Sequence, residues 1–143
     1  MANARPSLLL LLAFGLALPG CARQQKRLSP EDVRSHLHAA ISLSAETELL
    51  LDYVDQGRST RSYAAGHAHY LQLEAARLQE ELGRGTPEPG VEPPVIVCRQ
   101  QLRMLDEELR QLPSRAEAPG ALREMRRRVA GMRARLEQAR AGE

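Results

Sequence analysis

The residues to weigh first for chemistry are four histidines in two pairs, His36/His38 and His67/His69. Side chains two apart on a helix diverge, so neither pair can grip one metal ion in the usual way. Asp32 and His36 stand four apart and could share one. Yet Glu-x-x-His, the repeated unit of di-iron helical bundles, is absent, as is Cys-x-x-Cys-His for covalent haem. Solvated or interfacial histidines are the favoured reading, and no metal ligand or catalytic residue is assigned. Nucleophilic catalysis finds no support either. No serine stands in a Gly-x-Ser-x-Gly context, there is no glycine-rich phosphate loop, and Cys98 falls on an apolar face. The chain does not read as an enzyme.

Two other groups remain. Tyr63, His67, Tyr70 and Glu74 recur at helical spacing and form a stripe beside an Ala/Leu face. Tyrosine and histidine suit interfaces, which makes the stripe a candidate partner surface. The plainer reading is a bundle boundary with polar tips in water. Arg126, Arg127 and Arg128 form a candidate patch for an anionic partner such as lipopolysaccharide. Against that stands the usual fate of such a run, a solvated or salt-bridged helix face.

The elements that must position these residues begin with the amino terminus. One positive charge, Arg5, precedes an apolar core from Leu8 to Leu18 and a small-residue exit at Pro19-Gly20. Eleven apolar residues fall short of the ~20 that span a bilayer, so the segment reads as a secretory signal. Leu18-Pro19-Gly20-Cys21 resembles the lipobox of bacterial lipoproteins: an aliphatic residue, then a small one directly before an obligatory cysteine. The resemblance covers residues 1–21 only. It implies cleavage of residues 1–20, a diacylglycerol on the Cys21 thiol and an acyl group on its new amine, with no other cofactor. Ala22 at the next position is not Asp, which favours the outer membrane facing the periplasm. The alternative is an ordinary signal cut after Ala22, releasing a soluble protein.

Cleavage before Cys21 leaves 123 of 143 residues, enough for one modest domain. The only Phe is Phe14 in the leader and there is no Trp, so the core must be Leu, Val, Ile, Met and Ala. The mature chain carries 19 basic against 18 acidic side chains, which argues against nucleic acid as a partner. With Cys21 acylated, Cys98 is the one free thiol, and a disulfide could form only between chains.

Residues 21–29 read as the lipidated cysteine and a short flexible tether, and residues 30–143 as a helical domain. The first helix is expected over 30–56. Ser29 can cap it, Pro30 fits its first position, and Glu31 and Asp32 suit its dipole. Val33, Leu37, Ala40, Ser44, Thr47, Leu51 and Val54 form its stripe, and Gly57 stops it. A second helix, 59–83, carries Ala64, Ala68, Leu71, Ala75, Leu78 and Leu82; Ala64, Ala65, Gly66 and Ala68 would admit a close neighbour. Residues 84–94 hold four prolines and two glycines and read as an extended, stiff connection. A third helix, 94–112, aligns Val95, Cys98, Leu102, Leu105, Leu109 and Leu112 and stops at Pro113. A fourth, 119–141, aligns Leu122, Met125, Val129, Met132, Leu136 and Ala139.

Four such stripes joined by short turns predict an all-α, antiparallel up-down-up-down four-helix bundle, with a three-helix or dimeric version as rival. Charge selects the neighbours. Residues 30–56 carry six acids and one Arg, net −5, while residues 115–140 carry eight Arg and three Glu, net +5. The first and fourth helices should therefore pack side by side. The functional expectation is a membrane-anchored, non-enzymatic adaptor that binds another envelope protein. A periplasmic stress or metal- or ligand-binding bundle and a self-associating coiled-coil spacer are the competing readings.

Overall fold

The structure, a computed structural model, describes residues 26–118 and 120–142. The leader, the lipobox-like residues Leu18, Pro19, Gly20 and Cys21, and the first part of the tether lie outside the described residues. The described chain folds into an all-α bundle of four helices, α1 (Pro30–Asp55), α2 (Arg61–Arg84), α3 (Glu92–Arg115) and α4 (Ala121–Ala141). A two-residue strand β1 (Arg27–Leu28) pairs in parallel with β2 (Thr86–Pro87).

The four-three stripes become the core. Val33, Leu37, Ala40, Leu51, Leu71, Ala75, Leu82, Val95, Cys98, Leu102, Leu105, Leu109, Met125, Val129, Met132 and Leu136 are all buried. Leu43 and Leu50 widen the α1 stripe, while Val54 of α1 and Ala139 of α4 sit partly buried near the ends of their stripes. Two polar members of the α1 stripe, Ser44 and Thr47, are buried because each hydroxyl donates to a carbonyl one turn back, on Ala40 and Leu43. Gly66 does not take part in close packing; it faces open space, and only Ala64 and Ala68 of the small cluster are buried.

The helices close into a ring, α1 against α4, α4 against α3, α3 against α2 and α2 against α1, and the α1–α4 seam is the most extensive. The register runs in opposite directions across the α1–α4, α1–α2 and α2–α3 seams. Asp52 and Glu48 meet Arg126 and Arg133 of α4. Glu46 and His36 meet His67 and Glu81 of α2. Arg61 of α2 meets Glu117 just beyond α3, while Arg99 of α3 meets the Leu82 carbonyl of α2. The acidic first helix and the basic fourth helix are thus neighbours, at 2.5 Å for Arg126–Asp52 and 2.9 Å for Arg133–Glu48.

Boundaries differ from expectation where proline and glycine were read as stops. Ser29 caps α1 in a full capping box with Asp32, and Gly57 takes φ 66 just beyond its end. Thr60 caps α2, which begins at Arg61 rather than at residue 59. Helix α3 runs through Pro113 to Arg115. Proline removes only its own N–H, and so near the carboxyl end the helix continues, with the Ala116 N–H bonding Leu112. The same helix begins at Glu92 rather than at residue 94, because Pro93 and Pro94 sit in the first turn, where no N–H is needed.

The connection 84–94 and the end of the tether form one feature. The Thr86 N–H donates to the Lys26 carbonyl at 3.0 Å and the Glu88 N–H to the Leu28 carbonyl at 3.1 Å. Leu28 is 2% exposed. Its side chain lies against Gly85, where any Cβ would overlap it. The tether is therefore folded from Lys26 onward.

Candidate interaction surface

The stripe on α2 is ordered and open. Tyr63 is 59% exposed and Tyr70 50%. The His67 ring lies between them, stacked on Tyr63 at 5.7 Å between centroids and tilted to Tyr70 at 5.9 Å. From α1, a Glu46 carboxylate oxygen lies 3.1 Å from His67 Nε2 and holds the middle ring in place. Glu74, the fourth residue of the stripe, instead accepts from Arg77 along its own helix.

Residues that sequence reasoning passed over extend this face. Leu49 and Tyr53 follow Glu46 at helical spacings of three and seven and are exposed, and the Arg58 guanidinium sits 5.1 Å over the Tyr53 ring. Among the described residues, five of the seven exposed large apolar side chains (Leu49, Tyr53, Tyr63, Tyr70, Leu73) belong to α1 and α2. The signal for Leu49 and Tyr53 was present in the helical period of α1, outside its core stripe.

His36 lies on the same α1–α2 seam. Its Nδ1 is 2.7 Å from the Asp32 carbonyl oxygen and its Nε2 is 3.3 Å from Glu81. His38 and His69 face solvent, so each sequence pair splits between seam and surface. Among the described residues no group of three or more His, Cys, Asp or Glu is placed to hold a metal ion.

The three arginines of the run turn to different carboxylates. Arg126 pairs with Asp52 of α1, Arg127 with Glu124 of its own helix, and Arg128 turns to α3. There Arg128 makes a two-pronged bond to Glu108 at 2.6 and 2.9 Å. These bonds to Glu108 raise its pKa further and keep it charged. Arg123 takes the place of Arg128 in a shallow groove of about 690 Å³ lined by Glu48, Gly120, Arg123, Arg126, Arg127 and Ala130.

A more apolar cleft of about 350 Å³ opens between the α1–α2 turn and the end of α3, lined by Val54, Ala64, Ala65, Leu112, Pro113 and Ala116. Arg61 and Glu117 form an ion pair beside it at 2.5 Å. Cys98 lies elsewhere, fully buried on α3, where burial pushes its thiol up to about 12. A thiol at that value is no nucleophile at neutral pH.

No known protein family, curated protein or solved structure matches this chain. The role of the bundle must therefore be argued from its own surface.

Proposed function

We propose that this protein is a membrane-anchored bacterial lipoprotein whose bundle acts as a non-enzymatic adaptor, binding another envelope protein on the periplasmic side of the outer membrane. Cys21 carries the lipid, and the Tyr63–His67–Tyr70 face of α2, continued on α1 by Tyr53, takes the partner. The observation that supports this reading best is the concentration of exposed apolar side chains on the α1–α2 hairpin. Water-exposed rings that are already stacked lose little freedom on binding, and they offer large apolar area with polar tips.

The test is cross-linking in the native host and mass spectrometry of the products, comparing wild type with Cys21→Ser and Tyr70→Ala. A recurrent envelope protein, lost in both variants while the Tyr70→Ala bundle keeps its helical content, is the expected result. Recovery of self-cross-links alone would replace the adaptor with a self-associating spacer.

A further inference from the structure

The fold fixes where a lipid on Cys21 must pull. Leu28 is locked beneath the Gly85 backbone, and two parallel-strand hydrogen bonds hold the main chain from Lys26 to Leu28 against residues 86–88. The Lys26 ammonium adds a bond to Asp32 at 2.9 Å, in the first turn of α1. Only residues 22–25 separate Cys21 from the main chain that is held in this way. Five Cα steps from residue 21 to residue 26 reach at most about 18 Å even when fully extended. Helix α1 alone, 26 residues, is about 39 Å long.

The antiparallel ring puts the tether exit, the α2–α3 connection and the end of α4 at one end of the bundle. The α1–α2 turn and the amino end of α2, with Tyr63, lie at the other. Long-range charge does not favour laying the bundle on its side. Four arginines of the basic helix, Arg126, Arg127, Arg128 and Arg133, are already engaged with carboxylates of the bundle itself.

We propose that the β1–β2 clip orients the bundle end-on. The α2–α3 connection faces the lipid surface and the Tyr63 end points away from it, so a partner is met about a helix length above the headgroups. This rests on the lipid-anchor reading and deepens it. The clip, rather than the anchor alone, decides which end is presented.

The test uses the full chain, expressed in a host that processes lipoproteins, purified and placed in phosphatidylethanolamine/phosphatidylglycerol vesicles. Its mass is measured first. Single reporter thiols at Pro89→Cys, in the α2–α3 connection, and Ser62→Cys, in the first turn of α2, are labelled with a donor dye. The native Cys98 is buried and stays unlabelled. Energy transfer to acceptors on the headgroups should be several-fold stronger from residue 89 than from residue 62. Inserting about 20 Gly/Ser residues between positions 25 and 26, with a root-mean-square span of about 25 Å, should largely erase the difference. Lipidated protein giving equal transfer from both sites overturns the end-on inference while leaving the anchor intact. A mature protein without the lipid mass overturns the anchor reading and this inference with it.

Discussion

Gly85→Ala should destabilise this protein, although its backbone does not require glycine. Gly85 has φ −96 and ψ 148, an extended conformation open to alanine. At such a site Gly→Ala normally stabilises by about 0.4–1 kcal/mol, through the unfolded chain. Here the new Cβ would overlap the Leu28 side chain, which is 2% exposed and packed into the core. Leu28 must leave, forfeiting about 2–3 kcal/mol of burial. The net loss is about 2 kcal/mol, and for a domain of ~115 residues it lowers the melting temperature by about 8 °C. Leu28→Ala should cost about 2–3 kcal/mol by a related route, leaving a gap under the clip. The decisive measurement is the double variant. Once Leu28 is truncated the overlap is gone, so Gly85→Ala in that background should revert to stabilising by about 0.5 kcal/mol. Thermal and urea unfolding of the four proteins, monitored by far-ultraviolet circular dichroism, gives the cycle. Hydrogen exchange at the Thr86 and Glu88 amides reports the clip directly, since those N–H groups bond the Lys26 and Leu28 carbonyls. Additive costs, or a neutral Gly85→Ala in wild type, would refute the argument that this glycine exists for Leu28.

The same geometry sets three further outcomes. Asp32 is held at about 2, below its usual 3.8, chiefly by the Lys26 hydrogen bond and then by Ser29. Its contribution to stability is complete above the unfolded value and is lost as pH falls from about 4 toward 2. Asp32→Asn should therefore flatten that part of the melting-temperature profile, and an unchanged acid slope would contradict Asp32 and its bonds to Lys26 and Ser29 as its source. Native protein should leave Cys98 unreactive toward maleimide at about pH 7.5, with labelling only under denaturant, because the thiol is buried and shifted up to about 12; rapid native labelling would show that α3 opens. Arg128 and Glu108, half-buried and doubly bonded, should couple by about 1 kcal/mol in a double-mutant cycle, whereas the exposed Arg127–Glu124 pair should couple by about 0–0.5 kcal/mol.

The helices were legible because burial obeys the helical period. Val95, Cys98, Leu102, Leu105, Leu109 and Leu112 could face one way only, and all are buried. The pairing of α1 with α4 was legible because opposite charge was concentrated on two segments, and those segments do meet. Pro113 misled because a missing N–H ends a helix only when the lost bond is not covered by packing, and Leu112 beside it is deep in the core. The clip was invisible for a different reason. Two residues have no measurable alternation, and Leu28 is a single apolar residue at the end of a polar tether; its partner Gly85 is distant in sequence, and nothing local marks the contact. The arginine triplet was legible in principle. Successive helical residues point about 100° apart, so Arg126, Arg127 and Arg128 had to diverge, and they reach α1, their own helix and α3.

How the seams are joined bears on the proposed docking face. Arginine bridges α1 to α4, α3 to α4 and the end of α3 to α2, whereas the α1–α2 seam has two histidine–glutamate pairs, His36–Glu81 and His67–Glu46. Fixing His67 from the neighbouring helix also fixes the ring on which Tyr63 stacks and toward which Tyr70 leans. An aromatic face ordered before its partner arrives avoids much of the ~0.5–1.5 kcal/mol that each mobile side chain otherwise costs on binding. Ile96 and Met104, also exposed but on α3, lack such a ring stack by their aliphatic nature. The α1–α2 hairpin is therefore the part of the surface where apolar area and order coincide, and that coincidence, more than exposure alone, is the support for the proposal that a partner docks there.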